Sequence, residues 1–125
     1  MTMNPVNWFE IYVQNIDRAQ KFYEAVLQIE MNNLSPPDGE LSMLAFPMDM
    51  EKFGSSGALV HHADVPSGGN STLIYFNSED CAIEEARIED AGGKVERPKM
   101  SIGDYGFITL AVDPDGNMFG LHSMK

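Results

Sequence analysis

Residues 8 to 26 run Trp8-Phe9-Glu10-Ile11-Tyr12-Val13-Gln14-Asn15-Ile16-Asp17-Arg18-Ala19-Gln20-Lys21-Phe22-Tyr23-Glu24-Ala25-Val26. The first six are aromatic or β-branched apart from one acid, which marks a strand whose two faces differ. Side chains alternate across a pleated strand, so Phe9, Ile11 and Val13 share one face and Trp8, Glu10 and Tyr12 the other. After the turn, Asn15 or Asp17 can cap the free amides of a helix. Ala19, Phe22, Tyr23 and Val26 then fall at i, i+3, i+4 and i+7, one apolar stripe of an amphipathic helix. A strand with a dry face, followed by a helix with a matching stripe, opens an α+β unit.

Working outward, strand patterns fit Ile29 to Leu34, Glu40 to Phe46 and Ala58 to His62, with a turn at Pro36-Pro37-Asp38-Gly39. Residues 47 to 57 keep no period and read as a loop, with Met48 and Met50 as adaptable apolar contacts. The second half repeats this order. Leu73 to Phe76 reads as a strand and residues 78 to 80 as a helix start. Ile83, Ala86, Arg87, Ile88 and Ala91 form a helix that ends at Gly92-Gly93. Strands then fit Lys94 to Arg97, Gly106 to Val112 and Met118 to His122, with a turn at residues 113 to 117.

The order β-α-β-β-β thus occurs twice. The similarity of Ile11-Tyr12-Val13 to Ile74-Tyr75-Phe76 sets Tyr12 and Tyr75 at similar places in the two halves. The expected fold class is α+β: two βαβββ modules whose curved mixed sheets enclose a cleft. A single domain spans 1–125, with module 1 over about 5–63, a bendable linker over about 64–70 and module 2 over about 71–125.

Composition narrows the function. With 125 residues the chain can bury a core without disulfides or a structural metal. Eight basic against 19 acidic residues leave a net charge of −11, which repels phosphate backbones and anionic lipid surfaces. Nucleic-acid and membrane partners are therefore not expected. The single cysteine, Cys81, excludes an internal disulfide and fits a reducing compartment. Met1-Thr2-Met3-Asn4-Pro5 is neither basic nor apolar, and no apolar run is long, so a cytoplasmic location is expected.

The segment 8–13 with Asp17-Arg18-Ala19 and Phe22-Tyr23, and later Ala91-Gly92-Gly93-Lys94-Val95 and Asp113-Pro114-Asp115-Gly116-Asn117, resembles the vicinal oxygen chelate superfamily. That group includes glyoxalase I, bleomycin-resistance proteins and extradiol dioxygenases. The resemblance runs over nearly the whole chain and implies the paired-module fold, a homodimer and, in many enzyme members, a divalent metal in the cleft. By the same alignment the usual ligand positions fall at Trp8, at Leu73 or Ser71, and at Gly120. These supply almost no donor, so no cofactor is predicted and a divalent metal, though possible, is disfavoured.

If strand parity holds, the cleft is lined by Trp8, Glu10 and Tyr12, by Leu73, Tyr75 and Asn77, and by Met118, Gly120 and His122, with no Lys or Arg. Glu10, between two aromatic side chains on an inward face, is expected to be partly desolvated and is the candidate general base, with His122 or a tyrosine as the candidate acid. One of the adjacent His61 and His62 could join Glu10 and His122 as an atypical two-His, one-carboxylate metal set. Trp8, Tyr12, Tyr75, Asn77 and Tyr105 are the candidate ligand-binding residues, Tyr105 within a glycine-flanked loop at 101–106 suited to a flap. The primary reading is a metal-independent member that binds a small organic molecule in an aromatic cleft. A lyase or isomerase using Glu10 as base, and a non-catalytic dimeric interaction module, are the alternatives. Whether the chain is an enzyme, and for which ligand, stays open at this level.

Overall fold

The first strand, β1 (Trp8–Tyr12), leads into helix α1 (Ile16–Leu27) in a computed structural model that describes residues 4–37 and 39–125. Met1, Thr2 and Met3, and Asp38 of the expected Pro36–Gly39 turn, lie outside the described residues. Of the two candidate caps, Asn15 is the one used: its side chain accepts from the Arg18 amide at 3.0 Å. Asp17 sits in the first turn, where its negative charge suits the helix dipole. The predicted stripe is the buried face, because Ala19, Phe22, Tyr23 and Val26 are all fully buried.

Strands β2 (Asn32–Asn33), β3 (Ser42–Ala45) and β4 (Ser56–His61) complete the first module in the order β1-β4-β3-β2. β1 runs parallel to β4 and the other pairs are antiparallel. The strand expected over residues 29–34 shrinks to two exposed residues, since an edge asparagine pair has no apolar face to bury. The second module repeats the plan: β5 (Tyr75–Asn77), α2 (Cys81–Ile88), β6 (Lys94–Ser101), a single 3-10 turn (Gly103–Tyr105), β7 (Phe107–Val112) and β8 (Met118–Ser123), in the order β5-β8-β7-β6.

Helix α2 differs from expectation. It is capped by Asp80, which accepts from the Ala82 amide at 3.1 Å, and it stops at Ile88; turns fill the path to Gly92. Its buried residues are Cys81 and Ile88, two turns apart. Ile83 is exposed because two residues from Cys81 are about 200° around a 3.6-residue helix, on the opposite side.

One core serves both modules. Rings of Phe9, Phe22, Tyr23 and Phe46 from the first meet Phe76 and Phe119 from the second, with centroids 5.4 to 6.0 Å apart in tilted or edge-on pairs. Both helices cover this side, and the Arg87 guanidinium donates to the Val26 carbonyl at 3.1 Å. The hairpin turn of the second module clamps the first: the Tyr23 hydroxyl donates to Asp113 at 2.7 Å, and Asn117 Nδ2 donates to the Tyr12 carbonyl at 3.0 Å. Asp115 accepts from the Gln14 amide at 2.9 Å and from Arg18 at 2.7 Å. Among the described residues both helices lie on this side of the sheets, and the opposite faces carry none.

Candidate functional site

The uncovered face of β1 presents Trp8, Glu10 and Tyr12 as parity requires, joined side by side. The Trp8 indole N–H donates to Glu10 Oε2 at 3.3 Å and the Tyr12 hydroxyl donates to Oε1 at 2.9 Å. The hydrogen bond to Glu10 raises the Tyr12 pKa above the ordinary tyrosine value, with burial and the negative charge adding to it, so the phenol stays a donor. Glu10 itself is exposed.

Two cavities follow the seam where β1 and β5 lie near one another. One, of about 230 Å³, is lined by Glu10 and Tyr12, by Asn70, Thr72 and Ile74 from the approach to β5, and by Met118 at the start of β8. The other, of about 250 Å³, runs between Val6, Phe9 and Ser55 on one side and Leu73 to Asn77 on the other. Asn70, placed in the linker by sequence, is a wall residue here; it donates to the Thr72 and Met118 carbonyls at 2.7 and 3.2 Å and accepts from the Met118 amide at 3.1 Å.

Counted from their helix caps, the two modules correspond differently from the local sequence identity. Their cap residues are Asn15 and Asp80, so Glu10 and Tyr75 each stand five residues before a cap, and Tyr12 and Asn77 three. The pairing of Tyr12 with Tyr75 was two residues out. Tyr75 is in register with Gly120, and Asn77 with His122.

His122 does not meet Glu10. Its Nε2 lies 2.6 Å from the Tyr105 carbonyl, and since a carbonyl only accepts, the ring donates and ties the 3-10 turn to β8. Tyr105 is 76% exposed and lines neither of these two cavities. The 101–106 loop is bonded within itself, with Ile102 donating to the Gly106 carbonyl at 2.9 Å and Gly106 to that of Gly103 at 3.2 Å. A Cβ on Gly106 would lie 2.3 Å from the Ser123 carbonyl oxygen, so this turn is seated on β8 rather than hinged away from it. His61 shares the helix-facing side of β4 with Leu59 and donates from Nδ1 to the Val13 carbonyl at 2.9 Å. His62 lies past the strand and accepts from the Asp64 amide at 3.1 Å. The two-His, one-carboxylate set does not converge, and among the described residues no three His, Cys, Asp or Glu side chains stand together as a metal site. Arg97 was missed: a register shift after Val95 pairs it with Leu110, which puts it on the uncovered side at the far edge of the second sheet.

A family model of the Glyoxalase/Bleomycin resistance protein/Dioxygenase superfamily matches residues 6–121. The chain belongs to this superfamily. Among solved structures it resembles a glyoxalase I variant from Zea mays at 21% identity and a TM-score of 0.75, covering 95% of this chain and 46% of that one. The chain thus spans about half the length of the maize protein. It also resembles the trypanothione-dependent glyoxalase I of Leishmania major, at 17% identity and a TM-score of 0.73, over 98% of this chain and 88% of that one. TnmS3, an antibiotic binding protein from Streptomyces sp. CB03234, is 24% identical with a TM-score of 0.66, over 100% and 99% of the two chains. No curated protein matches the chain. Identities this low establish the fold that these proteins share and nothing of what they bind.

The divalent metal that many glyoxalase-superfamily enzymes hold finds no fit here. At the positions aligned with its ligands, the Trp8 indole is committed to Glu10, Leu73 is aliphatic, Ser71 offers one exposed hydroxyl and Gly120 has no side chain. The space a Gly120 side chain would take is filled by the Tyr75 ring. Several convergent oxygen or nitrogen donors are needed, and these residues do not provide them. Among the described residues, no helix is long and apolar enough to cross a membrane.

Proposed function

We propose that this protein binds a small, cationic or neutral organic molecule in the aromatic cleft along the β1/β5 seam, without a metal. The observation that carries this reading is the exposed Glu10 carboxylate held between Trp8 and Tyr12 at a cavity whose described lining contains no Lys or Arg. An uncompensated carboxylate flanked by aromatic rings favours a cation and disfavours a phosphonate or another strong anion. The free, buried thiol of Cys81 suits a reducing, cytoplasmic setting, and the protein is read as a homodimer, which sedimentation equilibrium tests directly.

The test compares two planar tricyclic probes of similar size, cationic proflavine and neutral acridone, with anionic 1-anilinonaphthalene-8-sulfonate, by isothermal titration calorimetry on EDTA-dialysed protein. The expected order is proflavine tightest and the sulfonate weakest. Glu10→Gln should weaken proflavine by about tenfold, equivalent to one close charge interaction, and acridone by less. Loss of all binding on EDTA dialysis with recovery on adding zinc or nickel would refute metal independence. Equal affinities for cation and anion would refute the role given to Glu10.

A further inference from the structure

Gly120 stands in the middle of β8, in register with Tyr75 on one side and Leu110 on the other. Its backbone does not call for glycine, since it is not among the residues of positive φ. A glycine inside a strand gives up side-chain packing and adds flexibility to the unfolded chain, so its presence needs a local reason. That reason is next to it. A Cβ on Gly120 would lie 2.4 Å from both Cδ2 and Cε2 of Tyr75 and 3.1 Å from Cγ. All three nearest atoms belong to one ring, which therefore lies across the bare α-carbon.

At Gly57 the three atoms nearest to an added Cβ are the Phe9 carbonyl oxygen, at 2.4 Å, and two atoms of the Phe9 ring, at 2.6 Å, so that glycine accommodates both a neighbouring strand's backbone and a ring on the helix-covered side. At Gly120 no backbone atom is among the three nearest. Tyr75 remains 45% exposed, so the ring keeps a free face. Beside it on the same uncovered side are Leu73, 37% exposed, and the half-buried Met118 and Leu110. Tyr75 and Glu10 hold equivalent places in the two modules, five residues before their helix caps; Glu10 lines one of the two cavities along the seam and Tyr75 the other, with Ile74 on both.

We propose that the Tyr75 ring, laid flat by Gly120, is a stacking platform that selects planar ligands, and that Gly120 is a specificity-determining residue of this cleft. The ligand class this assigns is a planar aromatic amine, its ring over Tyr75 and its basic nitrogen toward Glu10. The inference rests on the binding reading above and adds to it a requirement for flatness that the charge of Glu10 does not impose. Gly120 acts through the ring and touches no ligand itself.

The two parts separate in one experiment. Proflavine and acridone are titrated calorimetrically into the full chain, its Gly120→Ala, Tyr75→Leu and Tyr75→Phe variants, and Glu10→Gln. A methyl group at residue 120 must lift the ring, so Gly120→Ala and Tyr75→Leu should each weaken both probes by about five- to tenfold. Tyr75→Phe, which keeps a ring on Gly120, should bind both probes more tightly than Tyr75→Leu. Glu10→Gln should discriminate between the probes where the platform variants do not. Should Gly120→Ala fail to fold by circular dichroism, Tyr75→Leu against Tyr75→Phe decides the matter alone. Binding that depends on Glu10 but stays within twofold in Tyr75→Leu overturns the platform and leaves the binding reading standing. Absence of binding of either probe to the unmodified protein overturns both.

Discussion

Replacing Tyr23 by phenylalanine removes one oxygen from the centre of the molecule, and the structure sets what that should do. Tyr23 is fully buried and its hydroxyl donates to Asp113 Oδ2 at 2.7 Å, a bond from helix α1 to the β7–β8 turn. Asp113 is 3% exposed and its Oδ2 has one other donor, Asn117 Nδ2 at 3.3 Å. Its Oδ1 accepts from the Asp115 and Asn117 amides, both at 2.9 Å. A hydrogen bond to a buried charged acceptor contributes about 1.5–3 kcal/mol, and Tyr23→Phe should lose that at neutral pH. For a domain of this length the melting temperature should fall by roughly 6–12 °C. The pH dependence gives a second readout. Burial raises the Asp113 carboxyl above its ordinary value, while the bonds from Asn117 and Tyr23 oppose that rise. A carboxyl whose folded pKa is raised takes up its proton in the folded state first, so its contribution to stability falls as pH climbs from the ordinary carboxylate range through the folded value. Without the Tyr23 bond the folded value moves higher still, and the fall extends further toward neutral pH. In acid the carboxyl of both proteins is protonated, the bond is neutral, and the deficit should shrink to about 1 kcal/mol. Urea unfolding followed by circular dichroism at pH 7.5 and again below the ordinary carboxylate range measures both quantities. A loss below about 0.5 kcal/mol at pH 7.5, or the same loss at both pH values, would refute the reasoning.

Asp115→Ala should leave the Gln14 and Asn15 amides and the Arg18 guanidinium without their carboxylate, lowering stability by about 1–3 kcal/mol. Amide exchange should quicken first at residues 14 and 15, and unchanged protection there would argue against the clamp. Lys99 donates to Asp80 at 2.8 Å, and that bond, with the Ala82 amide, holds the Asp80 carboxyl below its ordinary value. The stabilisation from such a group is present above the unfolded pKa and is lost as pH falls through the folded one. Lys99→Met should therefore raise the Asp80 titration seen by carbon NMR and begin acid unfolding at a higher pH; an unmoved Asp80 titration counts against the pairing.

Much of the fold was legible because it rests on local periodicity. The alternation over residues 8–13 and the i, i+3, i+4, i+7 stripe of α1 reappear as buried faces, since a side chain's facing is set by backbone geometry before any distant contact forms. The turn at 113–117 and the doubled β-α-β-β-β order also follow from short-range signals. The sequence pattern misled where a segment was short or shifted. In α2 eight residues gave two competing stripes, and only contact with the sheet chose Cys81 and Ile88 over Ile83. In β6 the register break after Val95 turned Arg97 to a face that simple alternation does not give it.

The site divides in the same way. That Trp8, Glu10 and Tyr12 share a face was set by their spacing, and the scarcity of donor side chains at the positions aligned with the superfamily's metal ligands, Ser71 excepted, by residue identity alone. Which partners His61 and His122 take was decided by tertiary structure, because a histidine's hydrogen bond depends on whichever carbonyl or amide the fold brings within reach. His61 went to Val13 and His122 to Tyr105, while His62 met the Asp64 amide two residues on, so none joined Glu10. The seating of Tyr75 on Gly120, 45 positions apart in the chain, likewise exists only once β5 and β8 pair in their observed register.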